Sequence, residues 1–119
     1  MGDITLTISP HMIRPGDEIM GAVSVSYPGK YDGVVISSQI SDSNEHILYR
    51  SSNGRPISEN VARLFISRDA MTKDRAEFTA SISFEPEREH DVKFRASVIE
   101  QHKEIDSKIV FAKYGAQQS

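Results

Sequence analysis

Glu85, Glu87, Glu89 and Asp91 fall within one short stretch that also carries Arg88 and His90. Paired carboxylates can divide general-acid and general-base work, but only where a cleft fixes their separation and apolar surroundings part their pKa values. A stretch broken by Pro86 between two strand-like segments reads as a solvated turn, which supplies neither. The four histidines, His11, His46, His90 and His102, sit in separate polar segments and are read as surface residues. None forms the two-histidine helical spacing that a zinc hydrolase needs.

Asp42-Ser43-Asn44-Glu45 clusters the hard oxygens that calcium prefers, yet it lacks the glycine and the distal glutamate of an EF-hand loop. A hairpin turn explains it at less cost, since Asp and Asn side chains bond nearby backbone and tolerate left-handed conformations. Serines are plentiful, but no Gly-x-Ser-x-Gly elbow and no glycine-rich phosphate loop occurs. The expectation is therefore a protein without catalytic, cofactor-binding or metal-ligating residues. It is not expected to be an enzyme.

Composition narrows the partners. The chain has 119 residues, a length suited to one domain spanning 1–119, since single cores usually occupy roughly 100–200 residues. It holds no cysteine, which removes thiol chemistry and disulfides and leans toward a reducing, cytoplasmic setting. The N-terminal residues show no basic start followed by an apolar run, so no signal peptide is expected. No segment approaches the ~18 consecutive apolar residues of a membrane span. With 14 basic and 17 acidic residues intermixed, the net charge is −3, and no basic stripe points to nucleic acid.

The elements follow from alternation, because a strand with one buried face reads apolar and polar in turn. Ile4, Leu6 and Ile8 alternate with polar neighbours until Pro10. Ile19, Val23, Val25 and Tyr27 share a face with Gly21, after the turn Arg14-Pro15-Gly16-Asp17. Val34, Ile36 and Ile40 share a face with Ser38. Phe78, Ala80, Ile82 and Phe84 form the cleanest alternation, and Val92, Phe94, Ala96 and Val98 the next.

Three segments are harder. Ile47 to Arg50 is short and ambiguous. In Ser58 to Ile66, Val61, Leu64 and Phe65 have helical spacing while Ala62, Leu64 and Ile66 have strand spacing; the β-branched and aromatic content favours a strand, in hairpin with Phe78 to Phe84 across the loop Arg68 to Arg75. In the final strand Ile109 and Phe111 are expected to face inward, and residues 113–119 to form a flexible tail. The sum is an all-β, antiparallel immunoglobulin-like or arrestin-like β-sandwich of about seven or eight strands in two sheets.

Several of these pieces, in order, resemble an arrestin-type domain. The opening strand, the turn Arg14-Pro15-Gly16-Asp17 and the strand Ile19-Met20-Gly21-Ala22-Val23-Ser24-Val25 are similar to that family's start. So are the strand Asp32 to Ile40, the Phe-rich strand Phe78 to Pro86, and Val92-Lys93-Phe94-Arg95-Ala96-Ser97-Val98. The resemblance implies a non-catalytic scaffold that binds other proteins. Arrestins carry two such domains where this length holds one, and their phosphate-sensing apparatus has no counterpart here. A homodimer, by edge-to-edge or face pairing, would replace the missing second domain.

A sandwich has free strand edges that accept a partner strand, and Tyr and Arg are enriched at binding hot spots. Tyr31 and Tyr49 are expected as exposed anchors, with Arg50, Asn53 and Arg55 completing a protein-binding surface. An immunoglobulin-like adhesion or carbohydrate-binding domain of a cell-surface protein is the alternative reading.

Overall fold

Residues 3–115 are described by a computed structural model of the chain. Ten strands occur among them: β1 Ile4–Ser9, β2 Met12–Ile13, β3 Ile19–Val25, β4 Gly33–Ile40, β5 Leu48–Ser52, β6 Arg55–Asn60, β7 Arg63–Ser67, β8 Arg75–Ser81, β9 His90–Glu100 and β10 Lys103–Tyr114. One sheet runs β1-β3-β8-β5-β6 and the other β2-β10-β9-β4-β7. Every pairing is antiparallel except the two-residue contact of β2 with β10. The fold is an immunoglobulin-like β-sandwich. It exceeds the expected strand count because β2 adds a two-residue strand and the stretch Ser58 to Ile66 is divided between β6 and β7.

The alternation seen in the sequence builds the core. Ile4, Leu6 and Ile8 of β1, Val34, Ile36 and Ile40 of β4, and Val92, Phe94, Ala96 and Val98 of β9 are all buried in one cluster. Burying each large aliphatic side chain contributes roughly 1.5–3 kcal/mol, so the inward faces supply the main driving force. Small residues make room for large ones: Gly21 sits opposite Phe78 across β3 and β8, and the Phe78 ring lies over it. Tyr49 meets Phe78 edge to face, with ring centroids 5.8 Å apart.

The turn before β3 forms as its residues require. Gly16 takes φ +85°, Asp17 N–H donates to the Arg14 carbonyl at 3.0 Å, and the Asp17 carboxylate accepts from Arg14 N–H at 2.9 Å. The two hairpins turn on left-handed residue pairs, Asn53-Gly54 between β5 and β6 and Gln101-His102 between β9 and β10. Positive φ at both central residues matches the twist of a two-residue hairpin loop. Among the described residues no helix is long and apolar enough to cross a membrane.

Four expectations are corrected. Ser58 to Ile66 is not one strand: the chain leaves β6 and crosses to the other sheet at Val61-Ala62, so β7 pairs with β4 and not with β8. The Asp42 to Glu45 segment is likewise no hairpin, because it carries the chain from β4 to β5 in the opposite sheet. Tyr114 is not part of a frayed tail. It is fully buried in β10, and its hydroxyl donates to the Phe84 carbonyl at 2.5 Å; residues 116–119 lie outside the described ones. His90, expected at the surface, is buried against Phe84 with Nδ1 2.7 Å from the Ser41 carbonyl oxygen.

Candidate protein-binding face

The expected anchors do not come together. Tyr49 points between the sheets and is fully buried; its hydroxyl donates to Ser38 at 3.2 Å, and burial pushes its pKa up to about 12. Alternation explains this, since Tyr49 follows buried Ile47 at the spacing of one strand face. Tyr31 is also buried, in the loop between β3 and β4. Its hydroxyl donates to the Asp74 carboxylate at 2.5 Å, and the Arg68 guanidinium stacks 4.5 Å from its ring centre. Burial first, then the Asp74 bond and charge, raise its pKa to about 12, with Arg68 opposing. Neither tyrosine can anchor a partner from these positions.

Asn53 is held by structural bonds, its Nδ2 to the Ala70 carbonyl at 2.7 Å and its Oδ1 to Glu77 N–H at 2.8 Å. Arg50 and Arg55 remain exposed, on β5 and at the start of β6. The Glu85 to Asp91 segment spans β8 to β9 and disperses its charges. Glu89 and Asp91 face Lys113 at 3.8 and 2.6 Å, while Arg88 reaches Asp42 at 4.0 Å. Among the described residues no three His, Asp or Glu side chains gather as metal ligands.

A cluster of exposed apolar residues lies elsewhere, on the outer face of the β2-β10-β9-β4-β7 sheet. Phe111 is 60% exposed, Ile109 42% and Met12 49%. This reverses the inward orientation expected for Ile109 and Phe111. Register is the cause: β10 pairs Val110 with Phe94 and Ala112 with Val92, so Val110, Ala112 and Tyr114 turn inward and their neighbours outward. A signal was present in the sequence, because Ile109-Val110-Phe111-Ala112 must expose two apolar side chains whichever register holds.

The same face carries charge in ordered rows. Arg63, Ser37, Arg95 and Ile109 stand side by side across β7, β4, β9 and β10. The next row holds Gln39, Lys93 and Phe111. Arg95 donates to Glu104 and, at 3.3 Å, to Ser107. Lys93 and Arg63 have no ion-pair partner among the described residues, whereas Lys113 is held by Asp91 and Glu89. Those partners, the Asp91 bond foremost, also raise the Lys113 pKa.

Part of the β10 edge adjoining this face carries no strand pairing. Lys113 N–H donates to the His11 carbonyl at 2.8 Å, so that amide points away from β9. Amide direction alternates along a strand, and Ile109 and Phe111 therefore point their N–H groups the same way. β2 covers only Lys113 and Tyr114. Beyond it no strand is paired with the backbone of Ile109 and Phe111, although β1 of the other sheet packs close by, with Asp3 N–H donating to the Asp106 carboxylate at 2.7 Å.

Comparison with known proteins adds the fold and little else. No family model matches the chain, and no curated protein matches it. Among solved structures it overlays on AvmM, described as catalysing macrocyclization in alchivemycin A biosynthesis, with TM-score 0.60 and 11% identity over 100% of this chain and 92% of that one. WR4, a C. elegans MSP family member, gives TM-score 0.47 and 11% identity over 98% of this chain and 100% of its own. The Reelin-N domain of F-spondin gives 0.47 and 11% over 98% and 87%. At such identity the AvmM overlay is a likeness of fold and carries no activity across.

Proposed function

We propose that this chain is a non-catalytic interaction module that binds a protein partner on the outer face of the β2-β10-β9-β4-β7 sheet and along the open edge of β10. The observation that carries the reading is the pairing of exposed Phe111 and Ile109 with unpaired backbone on the same strand. A partner strand laid on that edge gains main-chain hydrogen bonds, and the adjacent apolar side chains supply burial. Aromatic residues and arginine are enriched at interface centres, and Phe111 and Arg63 on this face match that composition.

The non-catalytic part of the reading is supported by where the ionisable groups sit. Glu89 pairs with Lys113 on the surface while His90 is turned into the core, so the residues best suited to acid–base chemistry do not converge. The resemblance to one arrestin-type domain fits a scaffold of this kind. On the cysteine-free composition, we place the module in the cytoplasm.

The test is photo-cross-linking in native extract, with a photoreactive residue replacing Phe111 in one sample and Met20 in another. Met20 is 57% exposed on the opposite sheet and serves as the control. Adducts at position 111 and none at position 20 support the reading, and adducts between two copies identify the partner as a homodimer. Equal labelling at both positions, or none at 111, would contradict it.

A further inference from the structure

Beside the Phe111–Ile109 ridge the same face opens into a groove of about 690 Å³. Its floor is β4 and β9, where Lys93 and Arg95 are half-buried, and its walls are the 43–46 segment and Ala62-Arg63. Arg63, Lys93 and Arg95 line it, Arg95 already paired with Glu104, and Glu45 is the one carboxylate in its lining. Strands lie about 4.8 Å apart, so Arg63 and Ile109, three strands from each other in one row, are separated by about 14 Å. An extended peptide covers that distance with about four residues.

We infer that the groove takes a short acidic segment of the partner protein, its carboxylates over Arg63 and Lys93 and an apolar side chain about four residues away on Phe111 and Ile109. This rests on the interface proposed above and adds the partner's chemistry to it. Charge complementarity chooses the ligand: Lys93 and Arg63 are unneutralised among the described residues, and guanidinium groups pair carboxylates two bonds at a time. Recession chooses the form. Lys93, half-buried on the groove floor behind the 43–46 wall, is reachable by a peptide but not by a flat bilayer.

The probe is a synthetic peptide in which a run of glutamates is followed by leucines, titrated into the full chain and followed by backbone amide NMR. Shifts at Gln39, Lys93, Arg95 and Phe111 are expected, with binding about tenfold weaker in the R63E/K93E double variant and unchanged in R50E/R55E on the other sheet. Replacing the glutamates by glutamine removes the binding. The inference is overturned by no shifts up to about 1 mM peptide, by equal binding in R63E/K93E, or by preference for vesicles of equal parts phosphatidylcholine and phosphatidylserine. If peptide binding fails while the position-111 cross-link persists, the acidic specificity falls and the interface stands. If both fail, the interface falls too.

Discussion

The Phe78 ring occupies the space that a side chain at position 21 would take: a Cβ on Gly21 would lie 2.2 Å from Phe78 Cζ. A contact that short cannot stand, so one side chain must move in a core where density leaves little slack. Gly21→Ala is expected to cost about 1–3 kcal/mol in urea unfolding. Phe78→Leu removes the ring, so the double variant should lose less than the sum of the two singles. Additive losses would show that the ring is not what excludes the side chain.

Alkaline pH tests the buried tyrosines. Tyr31 and Tyr49 titrate at about 12 when folded, against a usual 10.0, because their neutral forms are favoured inside the sandwich. A raised folded pKa means their contribution is complete below pH 10 and is lost as pH rises toward 12. Unfolding free energy is expected to fall steadily across that window. Tyr49→Phe should flatten the fall, and a pH-independent profile would contradict the burial of both hydroxyls.

The β9–β10 hairpin turns on Gln101 at φ +52° and His102 at φ +66°, where neither residue is at ease. Left-handed conformations cost a residue bearing a Cβ roughly 1–2 kcal/mol, less for asparagine and none for glycine. Replacing the pair by Asn-Gly is expected to raise stability by about 1 kcal/mol, measured as a shift of the urea midpoint at constant m-value.

Surface substitution separates binding from folding. Phe111→Ser and Ile109→Thr change exposed side chains, so unfolding free energy should move by no more than about 0.5 kcal/mol. Capture of the partner through this face is expected to drop sharply in both. A large stability loss instead would mean the side chains pack inward, as the sequence alone first suggests.

Much of the sandwich was legible in the sequence, because β1, β3, β4, β8 and β9 each alternate cleanly around one buried face. Pairing was less so. Ser58 to Ile66 offers helical and strand spacings at once, and reading it as one strand hid the change of sheets at Val61-Ala62. The binding face was hidden by a one-residue ambiguity in β10: four consecutive apolar residues fit either register, and only pairing with β9 selects one. Tyr31 and Tyr49 misled for a related reason. Tyrosine suits interfaces and cores alike, and the Asp74 and Ser38 partners that satisfy these hydroxyls are distant in sequence.

Partner binding at the β10 edge and its outer face must change the backbone there before anywhere else. Amide hydrogen exchange of the purified complex against the free chain reads this residue by residue. The amides of Ile109 and Phe111 are expected to exchange rapidly when free and to become protected on binding, while Asn53 to Arg55 stay unchanged. Protection confined to the Asn53 to Arg55 hairpin, with Ile109 and Phe111 unaffected, would contradict it.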